Sequence, residues 1–136
     1  MSNQKLGSKF EKEFCDELAK HGFWVHRMAQ NSAGQQPADV IAVYEGIAYL
    51  IDCKLCSDDY FHFSRMEENQ RLAMKKWIDL KGTPPVFALK DSKDRVWMLD
   101  YEWAVLAEDS GMKGIHCEKG HSWLKTLDEW VYAECD

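Results

Sequence analysis

The chain has 136 residues, 46% of them hydrophobic, enough to bury one core and too few for two ordinary domains. No apolar run approaches the roughly 18 residues of a membrane-spanning helix, and the charged start MSNQKLGSKFEKEF is unlike a signal peptide, so a cytoplasmic protein without a membrane segment is expected. A net charge of -6 opposes indiscriminate binding to polyanions, but it is unevenly spread: residues 1–90 hold 12 Lys and Arg against 12 Asp and Glu, and residues 91–136 hold 5 against 11.

In chain order, Leu6, Phe10, Phe14 and Leu18 recur every four residues and predict an amphipathic helix over 4–21, ended by His21-Gly22. Phe23 to Met28 reads as a strand, and AQNSAGQQP after it as a loop. Ala38 to Tyr44 and Ile47 to Leu55 are rich in β-branched and aromatic residues and flank Glu45-Gly46, which predicts a hairpin. The segment CSDDYFHFS is polar and aromatic. Residues 65–80 are free of helix breakers and stop before Gly82, giving a second long helix. PVFALK and RVWML then predict two strands, Asp100 caps a short helix, and Thr126-Leu-Asp-Glu129 forms a capping box for a last helix reaching about Cys135. The predicted order is α-β-β-β-α-β-β with two C-terminal helices.

Asp52 and Lys54 are two apart on a strand, so both side chains leave one face while Cys53 leaves the other. Six residues run from Asp39 to the turn and six return to Asp52, so the hairpin can bring the two acids together. A divalent cation that polarises a phosphate wants such carboxylates, and a lysine beside them can position a nucleophile. A charged pair inside YLIDCKL is costly unless it is used. Spacing alone fits a solvated Asp-Lys pair equally well. Cys53 and Cys56, with His116, Cys117 and His121, also have ligand spacing for zinc, although Cys53 and Cys56 would face opposite sides of a strand. Five cysteines without a regular framework read as reduced packing residues. Trp24, Trp77, Trp97 and Trp130 sit in largely apolar runs and read as core rather than base-stacking residues.

Four segments, in order, carry a resemblance: GSKFEKEF at 7–14, HGFWVHR at 21–27, PADVIAVYEGIAYLIDCK at 37–54 and FHFSRMEENQ at 61–70. Together they resemble the Holliday-junction resolvases of the PD-(D/E)XK superfamily, in their archaeal form and the related bacterial and phage forms. Here the second acid of the signature is Asp52 rather than the commoner Glu, and Ala38 separates Pro37 from Asp39. The resemblance implies a restriction-endonuclease-like α/β fold, a central mixed sheet flanked by helices. It covers a catalytic core at 1–100 of the single nuclease domain expected over 1–136; residues 101–136 lie beyond the resemblance and are expected to form an acidic helical extension. It further implies that Glu11, Asp39 and Asp52 hold Mg²⁺, for which Mn²⁺ can substitute, and that Lys54 activates water with Gln70 in support. Arg27 and Ser32 would touch DNA phosphates. The implied substrate is branched DNA, cut by a homodimer. Flap, nick or foreign-duplex cleavage, a catalytically weakened DNA-binding module on the same fold, and a zinc-stabilised interaction domain are the alternatives. For Gln70 an ordinary exposed helix residue, and for Arg27 and Ser32 ordinary surface residues, remain open.

Overall fold

The structure, a computed structural model, describes residues 2–28, 36 and 38–135, and the side chains of all of these except Asn3 and Cys135. Ser32 and Pro37 lie outside the described residues. The first helix, α1, spans Asn3–Lys20; Ser2 caps it by accepting from the Lys5 N–H. Phe10, Phe14 and Leu18 are buried as their spacing predicts, each worth roughly 1.5–3 kcal/mol of transfer energy. Leu6 is not: it lies a turn beyond the sheet, 40% exposed, in the wall of a cleft. The helix ends in a Schellman motif, with the Phe23 N–H bonded to the Leu18 carbonyl and the Gly22 N–H to the Ala19 carbonyl; Gly22 takes φ +93°.

Strands β1 (Trp24–Arg27), β2 (Val40–Tyr44) and β3 (Ile47–Leu55) form an antiparallel meander. Glu45 (φ 48°) and Gly46 (φ 82°) make the tight turn between β2 and β3, which fixes Tyr44 opposite Ile47 and Val40 opposite Ile51. The chain then makes a short strand β4 (Tyr60–His62), a single 3₁₀ turn at Phe63–Arg65 and helix α2 (Glu68–Asp79). It returns as β5 (Val86–Lys90), parallel to β3, and continues as β6 (Val96–Asp100) and α3 (Tyr101–Asp109). Strands β7 (Gly114–His116) and β8 (Leu124–Thr126) precede α4 (Leu127–Cys135). The main sheet runs β1-β2-β3-β5-β6-β8, and β4 pairs with β7 in a separate ribbon. Among the described residues no helix is long and apolar enough to cross a membrane.

Several expectations need correction. Strands β4, β7 and β8 were not foreseen, so the acidic stretch 101–136 is not a helical extension alone: β8 forms an edge of the main sheet, and Leu127, Trp130 and Val131 enter its core. The second long helix begins at Glu68 rather than residue 65, because Arg65 closes the 3₁₀ turn and Glu67 is the N-cap. Asp100 occupies the N-cap of α3 without a side-chain capping bond. Trp24, on the edge strand, is 61% exposed, whereas Trp97 and Trp130 are buried.

Period-two alternation along β3 divides the core. Tyr49 and Ile51 face α1 and α4, while Leu50, Cys56 and the Asp52 side face α2, α3 and the ribbon. A parallel return from β3 to β5 requires a crossover, and α2 supplies it, so the first turn of α2 lies beside the carboxyl end of β3.

Candidate active site

That carboxyl end carries Asp52, which is wholly buried, and Lys54, two residues on. Their charged ends are 3.1 Å apart. Gln70, in the first turn of α2, joins them: its Nε2 donates to Asp52 Oδ1 (3.1 Å) and its Oε1 accepts from Lys54 Nζ (3.2 Å). Gln70 is itself held by a capping box, in which Glu67 accepts from the Gln70 N–H and the Glu67 N–H reaches back to Gln70 Oε1 (3.4 Å). The pattern Glu67-x-x-Gln70 is the sequence signal for this support.

Asp39 sits just before β2. Its N–H bonds the Ile51 carbonyl (3.2 Å), and its Oδ2 accepts from the Cys53 N–H (2.8 Å), so the backbone of β3 aims this carboxylate at Asp52. Glu11 follows the buried Phe10 on α1 and is 9% exposed. Arg27, at the end of β1, donates to Glu11 Oε2 (3.0 Å) and to Ser8 Oγ (3.0 Å). Arg27 thus holds an acid and the α1 backbone in this state. The structure brings together Glu11, Asp39, Asp52, Lys54, Gln70 and Arg27; Ser32 lies outside the described residues. Ser8, Glu67 and the Cys53 N–H are the members that spacing did not indicate.

Glu11, Asp39, Lys54 and Gln70 line a cleft of about 840 Å³ together with Gln4, Gln36, Asp58 and Arg65, and Asp52 lies buried behind them. Burial pushes the Asp52 carboxyl well above its ordinary value, and the Asp39 charge pushes it further, against the pull of Lys54. Glu11 is raised for the same reasons, first burial and then Asp39, with Arg27 opposing. Three acids therefore face two cations, and the acids repel one another. Such a site favours a proton or an added cation.

Two observations bear on whether a metal ion would fit. Asp52 Oδ2 is buried and faces Lys54 Nζ at 3.1 Å as an ion pair, without a well-aligned hydrogen bond among the described residues. The charged donors on the acidic side are carboxylate oxygens, the chemistry of Mg²⁺ or Mn²⁺ rather than zinc. Yet among the described residues no three His, Cys, Asp or Glu side chains stand ready as a metal cage. Donors so arranged fit an ion that keeps most of its water and takes one or two carboxylates. The cysteines do not form the alternative zinc site: Cys53 packs on the α1 face, and Cys56 lies across the sheet from it.

A mixed sheet flanked by helices, with two acids and a lysine at the end of a central hairpin strand, is the fold and motif placement expected from the PD-(D/E)XK resemblance. Residues 2–115 match the family described as archaeal Holliday junction resolvase (Hjc), and the chain belongs to that family. A stretch of 86 residues is 33% identical to the crossover junction endodeoxyribonuclease Hjc of Methanocaldococcus jannaschii; it spans 63% of this chain and 59% of that relative. The solved structure of Archaeoglobus fulgidus Hjc, a Holliday junction resolvase, superposes with a TM-score of 0.66 at 19% identity, over 93% of this chain and 98% of that one, a likeness of fold.

Proposed function

We propose that this protein is a divalent-metal-dependent endodeoxyribonuclease that cuts four-way DNA junctions. The observation that carries the reading is the Asp52–Lys54–Gln70 triangle, in which Lys54 and Gln70 line an open cleft, Asp52 is buried behind them and Asp39 lies beside it. A fold does not need such a charged group at the end of a central strand, and burying it is costly. The family and the printed name of the M. jannaschii relative support the choice of DNA junctions over other phosphodiesters.

Mg²⁺, or Mn²⁺ in its place, would be held by one or two carboxylates at a time from among Asp52, Asp39 and Glu11, with water filling the other positions, and when bound it would polarise the phosphate and acidify water. Burial and Asp39 hold the Asp52 carboxyl above its ordinary pKa, and a bound cation would shift it back toward the ionised form. Lys54 directs its ammonium into the cleft, orients the attacking water and offsets charge on the pentavalent phosphate. Gln70 keeps Lys54 and Asp52 at fixed separation. Arg27, bound to Glu11 in this state, passes to a DNA phosphate, and Ser32, five positions further along the sequence, contacts the neighbouring one. The acidic chain can approach DNA because, once the three site acids are neutralised, residues 1–90 retain 12 cations against 9 acids. Resolving a junction takes two symmetric cuts, and each chain has one such site, so the active form is a homodimer.

The test is cleavage of an end-labelled four-way junction and a matched linear duplex, with Mg²⁺ or Mn²⁺ and with chelator. Metal-dependent, paired nicks in the junction are expected, with the duplex intact. Preferential cutting of flaps or duplex would replace the junction assignment, and no cutting of any DNA would leave a binding module.

A further inference from the structure

The described cysteines are all free thiols, Cys15, Cys53, Cys56 and Cys117, and two of them, Cys56 and Cys117, share one buried cluster. The spacing Cys53-Lys-Leu-Cys56 suggests a pair, but the fold separates these two onto opposite faces of the sheet. Cys56 instead faces Cys117, 61 positions along the chain. Asp59 aligns their backbones: its N–H donates to the Cys56 carbonyl (3.0 Å), and its carbonyl accepts from the Cys117 N–H (2.9 Å). Both side chains are buried in the same cluster on this side of the sheet. Cys56 Sγ also lies 4.0 Å from Arg65 Nη1.

Both cysteines are buried, yet Cys56 is only one residue behind solvent. Its neighbours Leu55 and Ser57, and Arg65 over it, line the cleft that holds the candidate active site. The environments of the thiols differ in a useful way. The Cys117 side chain and the nearby Arg65 lower the Cys56 thiol, while burial raises Cys53 and lifts Cys15 to about 11. A thiolate is the form that reacts with peroxides, so reactivity is directed to Cys56, and its partner is already in place.

We propose that Cys56 and Cys117 are a redox-modifiable pair, converted by a peroxide into a disulfide that ties the strand carrying Lys54 to the C-terminal segment. The Cys56 thiolate attacks one oxygen of hydrogen peroxide, the O–O bond breaks, and Cys56 sulfenic acid and hydroxide form. The Cys117 sulfur then attacks Cys56 Sγ; the S–S bond forms, the S–O bond breaks, and the Cys117 proton leaves with the hydroxyl as water. Two sulfurs are oxidised by one electron each; one peroxide oxygen leaves as water and the other as hydroxide, which takes up the proton that Cys56 released on ionising. This chemistry is independent of the nuclease reading.

The test uses the full-length reduced protein. It is exposed to a few equivalents of hydrogen peroxide, its remaining thiols are alkylated in denaturant, and peptides are mapped by mass. The expected result is a linked peptide pair containing Cys56 and Cys117, two hydrogens lighter than the sum, reversed by dithiothreitol. Cys15 and Cys53 should be recovered alkylated, and the oxidised protein should melt several degrees higher, because the cross-link closes a long loop. In Cys117→Ser, a dimedone-type probe should trap a sulfenic acid at Cys56, whereas Cys56→Ser should show little trapping at Cys117. Absence of the 56–117 link in wild-type protein, or equal trapping in the two variants, would overturn the proposal.

Discussion

Replacing Lys54 with Met keeps most of the side-chain stem and removes the charge that faces Asp52. Asp52 is 0% exposed and Lys54 9%, so solvent screens the pair little. Leaving one partner of a buried ion pair alone costs roughly 3–5 kcal/mol, and here Asp52 Oδ2 has no hydrogen bond to soften the loss. Asp52 can escape by taking up a proton, and that makes the cost depend on pH. Its folded-state pKa is already raised above the ordinary 3.8, and losing Lys54 raises it further. A carboxyl with a raised folded pKa binds protons better folded than unfolded, so stability falls as pH climbs from 3.8 toward the folded value and then levels off. Lys54→Met should therefore cost little near about pH 4 and approach the full penalty only above the variant's raised pKa. Urea denaturation of metal-free wild type, Lys54→Met, Asp52→Asn and the double variant across this range measures it. The double variant should recover most of the loss at high pH. A cost that is flat with pH, or a double variant no more stable than Lys54→Met, would refute the reasoning.

Three further outcomes follow from the same geometry. Gln70→Ala removes the bridge between Asp52 and Lys54 and should lower single-turnover cleavage by roughly 10- to 100-fold while junction affinity is kept, as read by kinetics and a binding titration. Mg²⁺ should raise the melting temperature of wild type, with stabilisation of about 2.7 kcal/mol at a hundred times Kd, and Asp52→Asn should lose most of that shift in a thermal melt. Gly82→Ala should destabilise by roughly 1–3 kcal/mol in urea, because an added Cβ would press on the Trp77 ring and lie 2.8 Å from the Trp77 carbonyl oxygen.

The parts of the fold that could be read from sequence are the locally determined ones. α1 was visible in the spacing of Phe10, Phe14 and Leu18, the hairpin in Glu45-Gly46 between β-rich runs, and α4 in its capping box, where Thr126 Oγ1 and Glu129 Oε1 each accept from the other's backbone N–H (3.2 and 3.0 Å). Strands β4, β7 and β8 were invisible because each is three residues long and pairs with a distant segment; Tyr60 meets His116, and Leu124 meets Leu99. Their stability comes from the ladder and from buried Phe61 and Ile115 rather than from a local pattern. The site divides in the same way. Asp39, Asp52 and Lys54 share one hairpin, so counting residues around its turn places them together. Gln70 could be placed only by resemblance, since its reach to Asp52 depends on the crossover that sets α2 beside β3. The Cys53 N–H that aims Asp39 is a backbone donor, which no residue type announces.

The central claim is that the Asp52 carboxylate is kept, at a cost to stability, for cutting DNA. Asp52→Asn tests it most directly, because the amide preserves shape and removes a buried charge. The metal-free variant should melt at or above wild type at neutral pH and bind the four-way junction, while its single-turnover cleavage in Mg²⁺ falls by at least about a thousandfold, or about 4 kcal/mol of transition-state stabilisation. A variant that cuts the junction at the wild-type rate would contradict the account.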